Sequence, residues 1–315
     1  MKRVLVLALV CLAVVSCKKE EDDNNNGNNG NSVTNPCQNV SGYTVIPDQN
    51  FEQALINLGH DDVMDGQVLS SNICSIDELW LSNQSISDLT GIENFSALTK
   101  LVCSVNQLTS LDLSNNTALT FLNCSANQLT SLDVSNNTAL LEFHCNLNDL
   151  ISLDVDSCAN LSELRCNNNR LTSLDVSQNT ALTTLTCHAN QLTSLDVSQY
   201  TNLTSLSCWS NQLTSLDVSQ NTNLVNLNCI YNQISSLDVS QNIALTELFC
   251  HNNQLTCLNV KNGNNTNFTS LYAYGNFNLN CIEVDDPTWA TQNWTSYFDP
   301  GVTFSTNCNY PAGCF

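Results

Sequence analysis

From Leu98 onward, apolar and polar residues return in one order every 21 positions. Each unit reads L-x-x-L-x-C-x-x-N-x-[LI]-x-[ST]-L-D-[VL]-x, and Cys103, Cys124, Cys145, Cys166, Cys187, Cys208, Cys229 and Cys250 occupy the same place in successive units. Within Leu-x-Cys, alternation turns the leucine and cysteine to one side and their neighbours to the other, so every unit predicts one short strand. The leucines and the cysteine make an apolar face too small to stand alone. Stacked units join these faces into a continuous core. The last regular unit breaks its second half at Cys257-Leu258-Asn259-Val260.

A constant period of this length, with L-x-x-L-x-L-x-x-N at its head, marks a leucine-rich repeat solenoid with a parallel β-sheet, here with cysteine in the third leucine place. About ten turns are expected, capped at both ends, because an open end would expose core and unpaired strand edge. The repeats occupy 76–288. An atypical first copy runs from Ile76 to Ala97, with Gln84 in the asparagine place. Regular copies fill 98–265, and a degenerate copy begins at Phe268 after an inserted Thr266-Asn267. Residues 37–75 form an N-terminal cap, with a short helix capped by Asp48 that carries Phe51, Ala54, Leu55 and Leu58 on one side and ends at Gly59. Residues 289–315, rich in Trp289, Trp294, Tyr297 and Phe298, form the C-terminal cap.

Three columns carry the polar and sulfur chemistry. The asparagines from Asn106 to Asn253 are expected to satisfy backbone groups where each turn leaves its strand. The ladder cysteines are expected to be buried thiols, since in-register neighbours rarely offer disulfide geometry. Cys37 and Cys74 flank the N-terminal cap and suit a bridge. Cys257, Cys281, Cys308 and Cys314 gather at the other end, where three pairings remain open. Cys158 stands alone at a place usually held by asparagine. Asp112, Asp133, Asp154, Asp175, Asp196, Asp217 and Asp238 form an acidic column, expected to accept hydrogen bonds from backbone N–H groups rather than to hold calcium between turns. Asp61 to Gly66 resembles a calcium loop, but Val63 and Asn72 stand where ligands belong, and a plain turn is expected.

Lys2, Arg3 and the apolar run Val4 to Val15 predict a secretory signal too short to span a bilayer. Val14-Val15-Ser16-Cys17 resembles a bacterial lipobox, which implies a lipoprotein signal peptide over 1–17 with Cys17 acylated as the mature N-terminus. Lys18 to Asp23 resembles the export signal of Bacteroidota surface lipoproteins, and 18–36 reads as an acidic, Asn-rich tether. Without residues 1–17, six basic side chains face all 29 acidic ones, a formal charge of −23. Such a surface repels nucleic acid and anionic lipid. Membrane attachment is therefore expected through the lipid on Cys17, at the extracellular face of an outer membrane.

The units resemble the 21-residue bacterial class called IRREKO, whose second half, L-x-x-L-D-L-x-x, stands here as Leu132-Asp133-Val134, Leu174-Asp175-Val176, Leu195-Asp196-Val197 and Leu216-Asp217-Val218. The flanks Ile46 to Leu55 and Cys281 to Asp286 resemble caps of flavobacterial repeat proteins. The resemblance implies an extracellular solenoid for adhesion or recognition, with no common catalytic site.

No enzyme constellation, cofactor motif or paired metal-ligand spacing is present. His60, His144, His188 and His251 fall in different turns. His144, His188 and His251 each adjoin a cysteine, but adjacent strand residues face opposite sides, so no Cys/His metal site is expected. Binding leaves a clearer trace. Scaffold positions barely vary, whereas the outward ones differ from copy to copy and carry aromatic, His and Arg side chains, the composition of a recognition surface. The candidate ligand-binding residues, on the concave face, are Trp80, Phe121, His144, Arg165, His188, Trp209, Tyr231, Glu247, Phe249, His251, Tyr272 and Tyr274. Trp209, Tyr231, Phe249, Tyr272 and Tyr274 are expected to form one diagonal strip. The chain thus reads as a monomeric binding or adhesion module for a protein or glycan. The alternative is a structural envelope protein with no discrete ligand.

Overall fold

The computed structural model describes residues 37, 40–294, 297–310 and 313–315. The signal segment, Cys17 and the tether 18–36 lie outside the described residues. The repeats fold as a parallel β-solenoid. Its principal sheet has ten strands stacked in chain order, beginning at Glu78–Trp80, Lys100–Val102 and Phe121–Asn123 and ending at Glu247–Phe249 and Ser270–Tyr272. Successive turns pair in register, with Leu101 opposite Leu122 and Leu185 opposite Leu206. The middle leucine of each strand is buried and the flanking residues face outward, as alternation predicts.

The ladder cysteines are buried free thiols. Burial pushes the Cys124, Cys187 and Cys229 thiols up to about 12. Beside them runs the asparagine column, which uses both ends of each amide. Asn190 Nδ2 donates to the Cys166 carbonyl of the preceding turn at 3.1 Å and to Cys187 of its own turn at 3.0 Å. Its Oδ1 accepts from Leu171 N at 3.0 Å. Asn127, Asn148, Asn169, Asn211, Asn232 and Asn253 repeat the pattern. Each turn is thereby fastened to the one before it.

A second ladder, Asn116, Asn137, Asn179, Asn221 and Asn242, runs along the other side of the core. Asn137 Nδ2 donates to the Leu113 and Asn116 carbonyls at 3.1 and 3.0 Å. These amides use one end only, because their Oδ1 atoms find no protein partner. Cys158 occupies a rung and points its sulfur at the equivalent carbonyls of Val134 and Asn137, at 3.8 and 3.7 Å. A thiol, a weak donor, suits a place where only donation is used.

The residue before each ladder asparagine is left-handed in every regular turn: Val105, Ala126, Leu147, Asn168, Ala189, Ser210, Tyr231 and Asn252 have φ between 52° and 57°. That conformation is uncommon for residues with a side chain and rarest for branched ones such as Val105. The asparagine bonds on either side hold it.

A second sheet of four strands, Ser236–Asp238, Cys257–Asn259, Cys281–Glu283 and Thr303–Ser305, flanks the last turns. It corrects the reading of Cys257 to Val260 as a broken half-unit. Leu258 and Val260 are buried, and Asn259 Oδ1 accepts from Lys261 N at 3.0 Å, as Asp238 Oδ1 does from Ser240 N at 2.8 Å. Asparagine keeps the acceptor that the aspartate supplies, so the turn persists although the letter changes. Throughout the acidic column each Oδ1 takes the N–H two residues on, as in Asp133 with Ser135 and Asp196 with Ser198. That bond holds the Asp112, Asp133, Asp175 and Asp196 carboxyls below their ordinary range.

The N-terminal cap pairs Tyr43–Val45 antiparallel with Gln67–Leu69 beside the helix Gln49–Asn57. Asp48 caps that helix through Asn50 N and Phe51 N and also accepts from Ser87 N at 2.7 Å, tying cap to first turn. The buried Glu52 carboxylate accepts from Asp65 N at 2.7 Å and from Gly66 N, which organises the turn that resembles a calcium loop. Disulfides join Cys37 to Cys74, Cys257 to Cys314 and Cys281 to Cys308, which selects one of the three C-terminal pairings. At that end a helix, Pro287–Asn293, starts on Asp286 as N-cap. The Tyr310 hydroxyl donates to the Leu258 carbonyl at 2.6 Å, closing the last strands.

Candidate functional site

All twelve outward residues singled out in the sequence lie on or beside the strands of the principal sheet, but they do not form one continuous strip. Trp80 begins the first group and is 55% exposed. Lys100, held by Glu78 at 3.0 Å, places its ammonium 5.6 Å from the Trp80 ring and 5.9 Å from Phe121. Phe121 meets His144 edge-on at 5.3 Å. His144 Nε2 lies 3.0 Å from Glu163 Oε1, which Arg165 Nε also contacts at 2.5 Å. Burial, reinforced by the Arg165 charge, pushes the His144 imidazole below its ordinary value despite Glu163.

Next comes an isolated pair. His188 stacks on Trp209 with ring centres 4.3 Å apart, and its Nδ1 lies 3.2 Å from Ser207 Oγ. Burial lowers the His188 value as well. Trp209 was expected to continue into Tyr231; the structure instead turns it back one turn onto His188. The left-handed backbone at Tyr231 sends that side chain toward the following turn, where it meets His251 at 6.3 Å.

The third group sits at the C-terminal end and is centred on His251. Tyr274 stacks on that imidazole at 4.3 Å, and Tyr272 meets it edge-on at 6.4 Å. Phe249 stacks on Tyr272 at 5.6 Å. His251 Nδ1 is buried without a protein partner, and burial lowers the ring's value. Glu247 is engaged by the Asn226 amide of the neighbouring strand rather than by this group. Tyr231 and Tyr274 remain 59% and 41% exposed, so the patch offers ring surface to solvent.

Lys100, itself at an outward position of the recognition surface, joins Trp80 to Phe121. Other participants were not anticipated: Tyr297 of the C-terminal cap packs edge-on against Tyr272 at 5.0 Å. Glu142 and Glu163 flank His144, and the three form the one group of potential metal-ligating side chains that converges among the described residues. The signal for the glutamates was present in the letters: both hold the outward position two residues before His144 and Arg165.

Fold and period together define a leucine-rich repeat solenoid built from turns of about 21 residues. Over 70 residues it is 45% identical to internalin J of Listeria monocytogenes serotype 4b, a stretch covering 22% of this chain and 8% of that protein. The solved functional domain of Listeria monocytogenes internalin J, which includes a cysteine ladder, matches at 37% identity and a TM-score of 0.65, over 78% of this chain and 57% of that domain. The chain thus spans little more than half of the solved domain. A leucine-rich repeat protein of Leptospira interrogans shares the fold at 22% identity and a TM-score of 0.56, over 75% of this chain and 73% of that one. No family model matches the chain. Among the described residues no helix is long and apolar enough to cross a membrane.

Proposed function

We propose that this chain is a cell-surface binding module that holds a protein ligand on the strand-bearing face of its solenoid, with glycan as the second ligand class. One observation carries the reading. At positions the repeat leaves free, aromatic and histidine side chains gather into packed groups with exposed rings, the composition of binding hot spots. The likeness to the functional domain of internalin J supports it, as does the fold shared with a plant receptor-kinase ectodomain solved in complex with Casparian strip integrity factor 2. Clustering into one patch would favour this reading and even scatter a purely structural envelope role; the rings fall into three groups. The resemblance of Val14-Val15-Ser16-Cys17 to a lipobox supports a module tethered through a lipid on Cys17 at the outer surface of an outer membrane.

The test is a screen of the full chain against matrix-protein and glycan arrays. For any ligand found, Tyr274→Ala and Trp209→Ala should each weaken binding by about 1–3 kcal/mol, while Gln199→Ala leaves it unchanged. Equal losses from all three would place the site elsewhere. Anchoring is tested by labelling with a palmitate analogue, which should mark wild type but not Cys17→Ser. Display is tested by protease shaving of intact cells, and a protein left uncut would count against it.

A further inference from the structure

Glu142 and Glu163 are paired in register on adjacent strands, and His144 stands two residues after the first of them on the same face. Across the ten strands this is the one place where two carboxylates oppose each other directly. Like charges in that relation destabilise a sheet, and an outward position is free to hold almost anything. Arg165 offsets the repulsion in part, from the side of Glu163 alone. One atom each of Glu142, His144 and Glu163 lies within 4.8 Å of the others. Ligands bound at about 2.1 Å around one ion stand roughly 3–4 Å apart, so closing the set takes rotamer adjustment and no backbone movement.

We propose that Glu142, His144 and Glu163 form a binding site for a first-row divalent cation of the zinc type. The donor set decides the class. An imidazole nitrogen with two carboxylates suits zinc and its neighbours, whereas calcium and magnesium call for oxygen alone. Three protein ligands leave at least one coordination position open. Arg165 competes with the ion. Its guanidinium occupies Glu163 Oε1, and with a half-exposed side chain it withdraws into water when the cation arrives.

The test is titration of the metal-stripped full chain with zinc chloride in a non-chelating buffer. Cobalt, whose visible spectrum reports nitrogen and oxygen ligands, is titrated in parallel. Wild type should bind one equivalent that His144→Gln and Glu163→Gln each abolish. Arg165→Gln should tighten that equivalent about tenfold, since it removes a positive charge a few ångströms away. Circular dichroism on each variant confirms the fold, and Glu247→Gln, on another turn, should bind as wild type does. Zinc uptake that is indifferent to His144→Gln and Glu163→Gln would overturn the proposal. So would weaker binding in Arg165→Gln, which would make the guanidinium part of the site rather than its competitor.

Discussion

Asn190 offers the sharpest test of what holds the turns together. Replacing it with alanine leaves Leu171 N without its acceptor and takes one of two amide donors from each of the Cys166 and Cys187 carbonyls, which keep Asn169 and Asn211. Leu171 N lies in a buried seam, where an unmet backbone group costs about 1–3 kcal/mol. The two weakened carbonyls add to that and relaxation recovers part of it, so Asn190→Ala should cost about 2–3 kcal/mol. The exposed neighbour Gln191→Ala should stay within about 0.5 kcal/mol. Asn190→Asp separates the two ends of the amide. It keeps the acceptor for Leu171 N but sets a carboxylate against two carbonyls, which raises its pKa in the folded state. The folded state then binds the proton more tightly, so relative stability is greatest below the ordinary aspartate range and is lost as pH rises through the raised value. Chemical denaturation of the full chain gives the totals, and amide exchange locates the loss, because a solenoid opens turn by turn. A cost below about 0.5 kcal/mol for Asn190→Ala, or a pH-independent Asn190→Asp deficit, would refute the two-ended role.

Three further outcomes follow. Cys158→Asn should stabilise by about 0.5–1 kcal/mol, because an amide donates more strongly to the same two carbonyls; a loss measured by denaturation would mean that the rung does not accept an amide. Burial raises all the ladder thiols, Cys124, Cys187 and Cys229 to about 12, and so makes stability fall with alkalinity. The contribution is whole below the ordinary thiol value near 9 and is lost as pH climbs toward 12. A flat stability curve across that window, with native alkylation as fast as in denaturant, would contradict their burial. Removing the Cys281–Cys308 bridge as a double alanine variant, its ends separated by 27 positions in sequence, should cost about 3–4 kcal/mol. Exchange protection should be lost over Cys281–Glu283 and Thr303–Ser305 and retained near Glu78–Trp80.

The columns differ in how plainly they were written in the chain. Asparagines 106 to 253 spend both donor and acceptor, so no other residue type fits and the column reads without interruption. The second ladder spends only its donor, which let Cys158 take a rung and interrupt the column. The left-handed residue of each turn left no chemical signature, since valine, alanine, leucine, serine, tyrosine and asparagine all occupy it under a conformation imposed by neighbours. Alternation was enough to say which side chains face outward. It was not enough to say which meet across turns, because those contacts depend on rotamers and on that left-handed backbone. Trp209 therefore joined His188 rather than Tyr231. His144 was weighed against the cysteine beside it, which faces inward, and so its partners on the adjacent strand were missed.

The asparagine seam bears on how such a chain changes over generations. Every interior turn presents the same donors and acceptors to the next, so coding DNA that misaligns by one repeat during recombination yields a protein whose seams still close. Excision of residues 161–181 would leave Asn190 reaching for the Cys145 carbonyl in place of Cys166. The same event would set His144 beside Thr186 instead of Arg165 and remove Glu163 from its side. Surface specificity can therefore be rewritten in one genetic step while the scaffold beneath goes on folding.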